Sequence, residues 1–314
     1  MKKNLAKMKE IFSPYVRNIK AVFGMKTEYA YSDFSILLPA DHLLPTFQKH
    51  HNLYDRFLPT LSKYLSPAST VIDVGANCGD TLAAMYDRNK NLRFVCIEPD
   101  ETFFGYLQNN ILRIKKIDTK AEIQSIRMLV GKKITDVSLE GSGGTKKAVM
   151  GNKNRSLSSQ SLDDILSNTK MSDIRLLKSD VDGFDYDVID SAETIIANHK
   201  PMIFFECQFD HVFQKEGYEK TIAHLEGKGY TEWIIFDNFG EVILRTNDLQ
   251  QIYHLFNYLW RQNVQRSTRT IYYYDILTFT KKDNAFIEMI MNDYLGRVEN
   301  PLHAKARHVI RIRR

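Results

Sequence analysis

The stretch Val71-Ile-Asp-Val-Gly-Ala-Asn-Cys-Gly-Asp80 reads as a buried strand that breaks into a glycine turn and opens a helix. Thr70–Val74 is short and, apart from Asp73, β-branched, as suits a buried strand. Gly75 lets the backbone turn sharply and leaves no side chain to obstruct a ligand. Gly79 lets the helix start approach the sheet, and the N–H groups of that start can receive a carboxylate. In open α/β sheets the ligand lies outside the carboxyl ends of the strands, where this turn sits.

Working outward, the same alternation continues. Residues 92–97 read as a second strand ending at Glu98-Pro99. Residues 101–114 read as a helix with Phe104, Leu107, Ile111 and Ile114 on one stripe. Residues 123–130 form a third strand, and a Gly/Ser loop follows at 141–144. Ser161 is placed to N-cap a short helix, with Asp164 at the capping-box position. Further strands fall at 174–178, 202–206, 232–236 and 271–280, with helices at 186–199, 219–228, 249–260 and 284–294. Strands alternating with helices predict an α/β fold, a doubly wound and mostly parallel sheet with helices on both faces. The last strand follows a hairpin-like segment at 237–245 and is expected to enter antiparallel. Residues 1–65, rich in aromatics and punctuated by proline, are too apolar for a disordered tail. They are expected to form a helical extension covering the substrate site. The organisation is therefore an extension (1–65), a main domain (66–282) and a C-terminal helix with a basic tail (283–314).

The ligand follows from what the turn lacks. A nicotinamide dinucleotide site carries Gly-x-Gly-x-x-Gly. This chain has Gly75 and Gly79 with three residues between them and no third glycine, which disfavours an NAD enzyme. Glu98, about 25 residues beyond Asp73 at the end of the second strand, can accept hydrogen bonds from both hydroxyls of a ribose. Asp73, just before the turn, suits a ligand bearing an ammonium group. S-adenosylmethionine has an amino-acid end, a ribose and an adenine in that order. The candidate cofactor residues are Asp73, Gly75, Asn77, Gly79, Asp80, Glu98, Pro99 and Asp180.

A second constellation is Leu176-Leu-Lys-Ser-Asp-Val-Asp-Gly-Phe-Asp-Tyr-Asp187. It places Lys178, Asp180, Asp182, Asp185 and Asp187 at the exit of the fourth strand. Clustered carboxylates raise one another's pKa, which can poise one as a base. Methyl transfer to an alcohol needs alignment and a group to take the hydroxyl proton. The candidates for that role are Asp180, Asp182, Glu206 and His211. Asp185 and Asp187 also suit a helix N-terminus, and His211 on a loop is more often incidental. An acidic cluster can hold magnesium, but this spacing is not diagnostic and the metal requirement stays open.

Composition is that of an ordinary globular protein, with a net charge of +5. That charge does not indicate nucleic acid. There is no run of about 18 uncharged apolar residues and no continuous apolar core of a secretory signal, so the default expectation is a cytoplasmic protein. Lys305, Arg307, Arg311, Arg313 and Arg314 carry no acid among them. Such a tail suits peripheral contact with the inner face of a membrane or with a polyanion, although a solvated, frayed terminus is the simpler reading. Cys78, Cys96 and Cys207 lack metal-type spacing and are expected to be small buried hydrophobes.

Taken in order, Ile72-Asp-Val-Gly-Ala-Asn-Cys-Gly-Asp-Thr81, Cys96-Ile-Glu-Pro99, Ser161-Leu-Asp-Asp-Ile-Leu166, Leu177-Lys-Ser-Asp-Val-Asp-Gly-Phe-Asp185, Phe205-Glu206 and Tyr274-Asp-Ile-Leu277 resemble the FkbM-type methyltransferases over about residues 70–280. The resemblance implies a class I, Rossmann-like methyltransferase fold, S-adenosylmethionine as donor and transfer to oxygen. Acceptors in such families are often sugars of surface glycans or their precursors, with small natural products or lipids as the alternative. The chain departs from the family at Asp182 and Asp185, where Glu is usual, and at Ser191, where Gly is frequent. A non-catalytic scaffold is the remaining reading, and the retained Asp73, Glu98 and Asp180 speak against it.

Overall fold

The computed structural model describes residues 26–132, 137–140, 147–150, 158–167, 169, 172–265, 270–299 and 310–313. The 141–144 loop and most of the basic tail lie outside them, as do the first 25 residues. The main sheet has eight strands in the order β13-β12-β14-β11-β10-β3-β4-β5. These are β3 (Thr70–Val74), β4 (Arg93–Ile97), β5 (Ile123–Ile126), β10 (Ile174–Ser179), β11 (Met202–Cys207), β12 (Tyr230–Asp237), β13 (Val242–Thr246) and β14 (Tyr274–Thr280). From the β3/β10 boundary the chain runs outward as β3-β4-β5 on one side and begins outward as β10-β11 on the other, which makes that boundary the topological switch point. β5, β4, β3, β10 and β11 run parallel, and β14 enters antiparallel between β11 and β12. The late antiparallel strand was expected from the sequence, and it occupies that place.

The central strands are buried from end to end, which requires helices on both faces. One apolar cluster joins Val71, Phe94, Leu176 and Leu277 to Leu82, Leu107 and Ile290. The other joins Ile72, Leu177, Ile203 and Trp233 to Val188, Ile222 and Phe256. These are the two faces of one pleated sheet, as alternation along each strand demands. Cys78, Cys96 and Cys207 are free and buried within these clusters.

Local signals fix several boundaries. Helix α3 (Asp80–Arg88) starts at Gly79, whose φ of 81° is left-handed. Helix α4 (Glu101–Ile117) is capped by Asp100, whose side chain accepts from the N–H groups of Thr102 and Phe103. Such a cap contributes about 1 kcal/mol. Ser161 caps helix α5 (Leu162–Leu166) by accepting from Asp164 N–H at 3.1 Å, as anticipated. The helix expected at 186–199 is two helices, α6 (Asp185–Asp190) and α7 (Glu193–His199). The break falls at Ser191, whose hydroxyl donates to Val188 O and accepts from Leu162 N–H, so the side chain competes with helix continuation. Helix α8 (Val212–Gly227) begins well before residue 219.

The N-terminal extension differs in part from the helical expectation. Its described part opens with a hairpin, β1 (Lys26–Ala30) and β2 (Ser35–Pro39), and continues through short helices α1 (Leu44–His50) and α2 (Phe57–Ser62). Tyr29, Ile36, Leu38, Phe57 and Leu61 pack into the same cluster as Val71 and Leu82. Asn110 of α4 ties the hairpin down by exchanging hydrogen bonds with Leu37 N–H and C=O at 2.8 and 2.9 Å. The chain end also differs from a frayed terminus. Strand β15 (Ile310–Arg313) pairs antiparallel with β1 as the third strand of that small sheet. Among the described residues no helix is long and apolar enough to cross a membrane.

Candidate active site

Six adjacent strands present one residue each at a single rim. Strand register sets Phe236 opposite Asp275, and Asp275 opposite Glu206. One step beyond the paired Ser179 and Phe205, Asp180 follows β10 beside Glu206. Gly75 follows β3 in the same way, and Glu98 follows β4 next to it. Neighbouring strands lie about 4.8 Å apart, so the acids Asp180, Glu206 and Asp275 form a continuous row beside the glycine turn.

Two cavities meet at that turn. The larger, about 370 Å³, is lined by Asp180, Asp182, Glu206 and Asp275 and by aromatic residues that include Tyr54, Phe57, Tyr272 and Tyr273. The smaller, about 70 Å³, is lined by Glu98, Pro99 and Asp100 with Phe103, Met128, Leu129 and Val130. Gly75, Asn77, Asp180 and Asp182 line both. The turn is built from three left-handed residues, Gly75 at φ 75°, Asn77 at 47° and Gly79 at 81°. A side chain at Gly75 would meet the chain before it met a ligand. Its Cβ would lie 1.9 Å from the carbonyl oxygen of Asp180. Gly79 lines neither cavity; a Cβ there would sit 2.8 Å from Leu107 Cδ1, so its smallness serves the packing of α4.

Asp73 does not present itself to a ligand. It is fully buried, and its Oδ1 lies 2.8 Å from Lys178 Nζ in an ion pair rather than an aligned hydrogen bond. Lys178 is itself 3% exposed; it donates to Gly75 O at 2.9 Å and lies 3.6 Å from Asp180 Oδ2. Burial alone would lower its pKa. Attraction from Asp73 and Asp180 outweighs that and holds it above the ordinary lysine value. The ammonium thus joins the floor, the glycine turn and the acid row. Beside the glycine turn, Asp80 and Asp180 rather than Asp73 line the cavity where the ammonium of a cofactor would lie.

Glu98 directly follows β4, beside the glycine turn. Its Oε2 accepts from Asn77 N–H and its Oε1 from Asp100 N–H, each at 2.8 Å. Burial pushes its carboxyl up to about 7, against the lowering effect of those two bonds. Asp182 lines both cavities from a left-handed backbone at φ 54°. Glu206 lines the large cavity, and burial followed by its acidic neighbours pushes its carboxyl well above the usual range.

Three acids or bases named from sequence lie elsewhere. His211 lines neither cavity; it caps α8 in a reciprocal box with Gln214, and its ring stacks on Phe213. Asp185 is a buried clamp. It accepts from Ser179 Oγ at 2.6 Å, Val181 N–H at 3.1 Å, Gly183 N–H at 3.3 Å and Tyr218 OH at 3.1 Å, which fixes the loop carrying Asp180 and Asp182. Asp187 accepts from Lys132 N–H at 2.9 Å. For a metal, the one compact group of His, Cys, Asp and Glu ligand atoms among the described residues is His42, Cys78 and Asp80, within 4.8 Å of one another. It does not include the acid row.

Sequence reasoning missed Asp275, Tyr54, Arg56 and Tyr272, all of which line the large cavity. The available signal for Asp275 was a carboxylate inside an otherwise apolar strand. For the others there was none, because α1, α2 and the segment before β14 reach the cavity only through tertiary folding.

A parallel sheet with one antiparallel strand inserted late, a glycine turn at the switch point and a carboxylate closing the next strand define a Rossmann-like, S-adenosylmethionine-dependent methyltransferase of class I. The Methyltransferase FkbM domain family matches residues 73–232, just over half of the chain, and the chain belongs to that family. No curated protein matches the sequence. Solved structures similar to the chain include a methyltransferase FkbM from Methylobacillus flagellatus KT (13% identity, TM-score 0.38, 76% of this chain and 59% of that one). A putative transferase from Pyrococcus horikoshii is 12% identical, with TM-score 0.46, covering 88% of this chain and 86% of that one. A precorrin-6y C5,15-methyltransferase from Geobacter metallireducens GS-15 is 12% identical, with TM-score 0.36, covering 71% and 86%.

The residues present fit the cofactor. Glu98 keeps lone pairs free for a diol beyond its two backbone bonds. Phe103, Met128, Leu129 and Val130 offer apolar walls to a flat base. Gly79 provides no side-chain cap to the first N–H groups of α3, where a carboxylate can sit.

Proposed function

We propose that this methyltransferase acts on a hydroxyl oxygen of a sugar, within a surface glycan or its precursor. The observation that carries the reading is the acceptor cavity itself, where a row of carboxylates faces aromatic rings. Carboxylates accept hydrogen bonds from hydroxyl groups, and aromatic faces pack against the C–H faces of a sugar ring. The smaller crevice, with Glu98 holding the ribose, is assigned to the adenosyl end. S-adenosylmethionine supplies, when bound, an electrophilic methyl group. The protein's part is to place the acceptor oxygen and take its proton. Asp180 is assigned that task, because it lines both cavities and its side chain is 51% exposed to them. Lys178 Nζ lies 3.6 Å from its Oδ2 and holds the carboxylate in place at the strand exit.

The test is transfer of labelled methyl from S-adenosylmethionine to a panel of glycans, nucleotide sugars and small alcohols. A labelled ether on a sugar is the expected product; label only on apolar alcohols would favour the natural-product or lipid reading. That second reading has one observation of its own, since Leu43, Leu44, Phe47 and Leu53 of the extension also line the cavity. With the acceptor in hand, Asp180→Asn is expected to lower kcat at saturating donor by about 10²-fold or more.

Cofactor affinity should depend on pH through Glu98. Its carboxyl sits at about 7 in the folded protein. A proton on either oxygen competes with the bonds from Asn77, Asp100 and the diol. Below that value binding must expel a proton, so affinity falls as pH falls, by up to tenfold per unit, and levels off above it. Titration of S-adenosylhomocysteine between pH 5.5 and 8.5 checks this, and Glu98→Gln should flatten the profile.

A further inference from the structure

Glu206 is 8% exposed, and its Oε1 has no hydrogen-bond partner. It opens onto the large cavity beside Asp275, which faces it directly across the β11–β14 ladder. Residues opposite in an antiparallel pair have Cβ atoms about 5 Å apart, so two carboxylates of like charge are held at short range. Among the described residues neither has an ion-pair partner. Lys178 is already committed to Asp73, Gly75 O and Asp180. Arg56, the other permanent cation of the lining, donates to Gln48 Oε1 at 3.0 Å. The lining carries six carboxylates, Asp55, Asp80, Asp180, Asp182, Glu206 and Asp275, against these two cations. Such a cavity repels phosphate and carboxylate groups.

We propose that the acceptor carries a protonated amine, held between Glu206 and Asp275, while a neighbouring hydroxyl of the same molecule faces Asp180. The inference rests on the hydroxyl-directed reading above and narrows its substrate class to amino sugars and related amino alcohols. An ammonium presents three donors and one positive charge. It satisfies the orphaned Oε1, bonds to both carboxylates and offsets their repulsion. A neutral hydroxyl supplies one donor and leaves the repulsion in place. The raised pKa of both groups, caused first by burial and then by their acidic neighbours, has the same origin. An activated precursor fits only with its diphosphate outside the cavity.

The test uses the full chain saturated with S-adenosylhomocysteine. It is titrated with methyl glycosides of 2-, 3- and 4-amino hexoses, with their N-acetyl forms, with the parent hexosides and with 6-phosphates of the amines. At least one amine is expected to bind tenfold or more tightly than its N-acetyl and parent partners, with the phosphate weaker again. Glu206→Gln and Asp275→Asn should each remove most of that preference while S-adenosylhomocysteine affinity stays within about twofold. A thermal melt reports whether each variant is folded, and Glu206→Gln should melt no lower than the parent. Equal binding of amines and parent hexosides, or a preference that survives both substitutions, overturns the inference. The hydroxyl reading is checked separately with labelled donor on the amines that bind. Label on nitrogen refutes the hydroxyl reading and the placement of the amine together. Label on oxygen of neutral hexosides, at rates matching the amines, upholds the hydroxyl reading and refutes the amine.

Discussion

Lys178→Met is expected to destabilise the protein by about 3–5 kcal/mol, the cost of removing one partner from a buried ion pair. Asp73 would be left fully buried with no cation within reach, and Gly75 O would lose its donor. Methionine nearly matches the lysine stem in volume, so the loss is electrostatic rather than steric. The double variant Asp73→Asn/Lys178→Met should recover much of the stability, because a buried amide costs far less than a buried unpaired carboxylate. Urea unfolding of the two single variants and the double variant measures the coupling. Additive losses would show that the pair is not the floor of the site. Cofactor binding should be lost in Lys178→Met and only partly restored in the double variant, since Asp180 also leans on this ammonium.

Gly75→Ala is expected to cost at least about 3 kcal/mol and to abolish cofactor binding. Two penalties act together. The backbone sits at φ 75°, where a Cβ is strained, and the new methyl would lie 1.9 Å from the Asp180 carbonyl oxygen. The neighbour is backbone and cannot rotate aside, so the β10 exit loop must move. That loop carries Asp180 and Asp182 and is clamped by Asp185. The reach of the damage is therefore from the turn to the acid row. Calorimetric melting with and without S-adenosylhomocysteine checks both parts: the apo melting point should drop, and the ligand-induced rise should vanish. A variant that still shows the rise would mean that the loop relaxes without harm to the crevice.

The local elements were legible because each leaves a short-range mark. The β3 strand, the glycine turn, Glu98 at the end of β4 and the Ser161 cap all follow from neighbours within a few residues. Misreadings arose where local patterns were ambiguous. The aromatic segment before residue 65 has no clean period, and its hairpin exists because Ile36 and Leu38 pack into the core and Leu37 exchanges hydrogen bonds with Asn110 of α4. His211 looked like a loop base because the start of α8 is weakly amphipathic, whereas its cap with Gln214 fixes the helix there.

The amino-acid sequence by itself determined the alternating architecture, the late antiparallel strand and the glycine turn after the first buried strand, since strand periodicity and turn chemistry are local. Only tertiary structure decided which carboxylates face the acceptor and which lie beneath it. Asp73 and Lys178 are 105 positions apart, Glu206 and Asp275 are 69 apart, and both pairs are set by strand register. Register is fixed by burial of whole faces and by pairing between distant strands, and no reading of neighbours along the chain contains it.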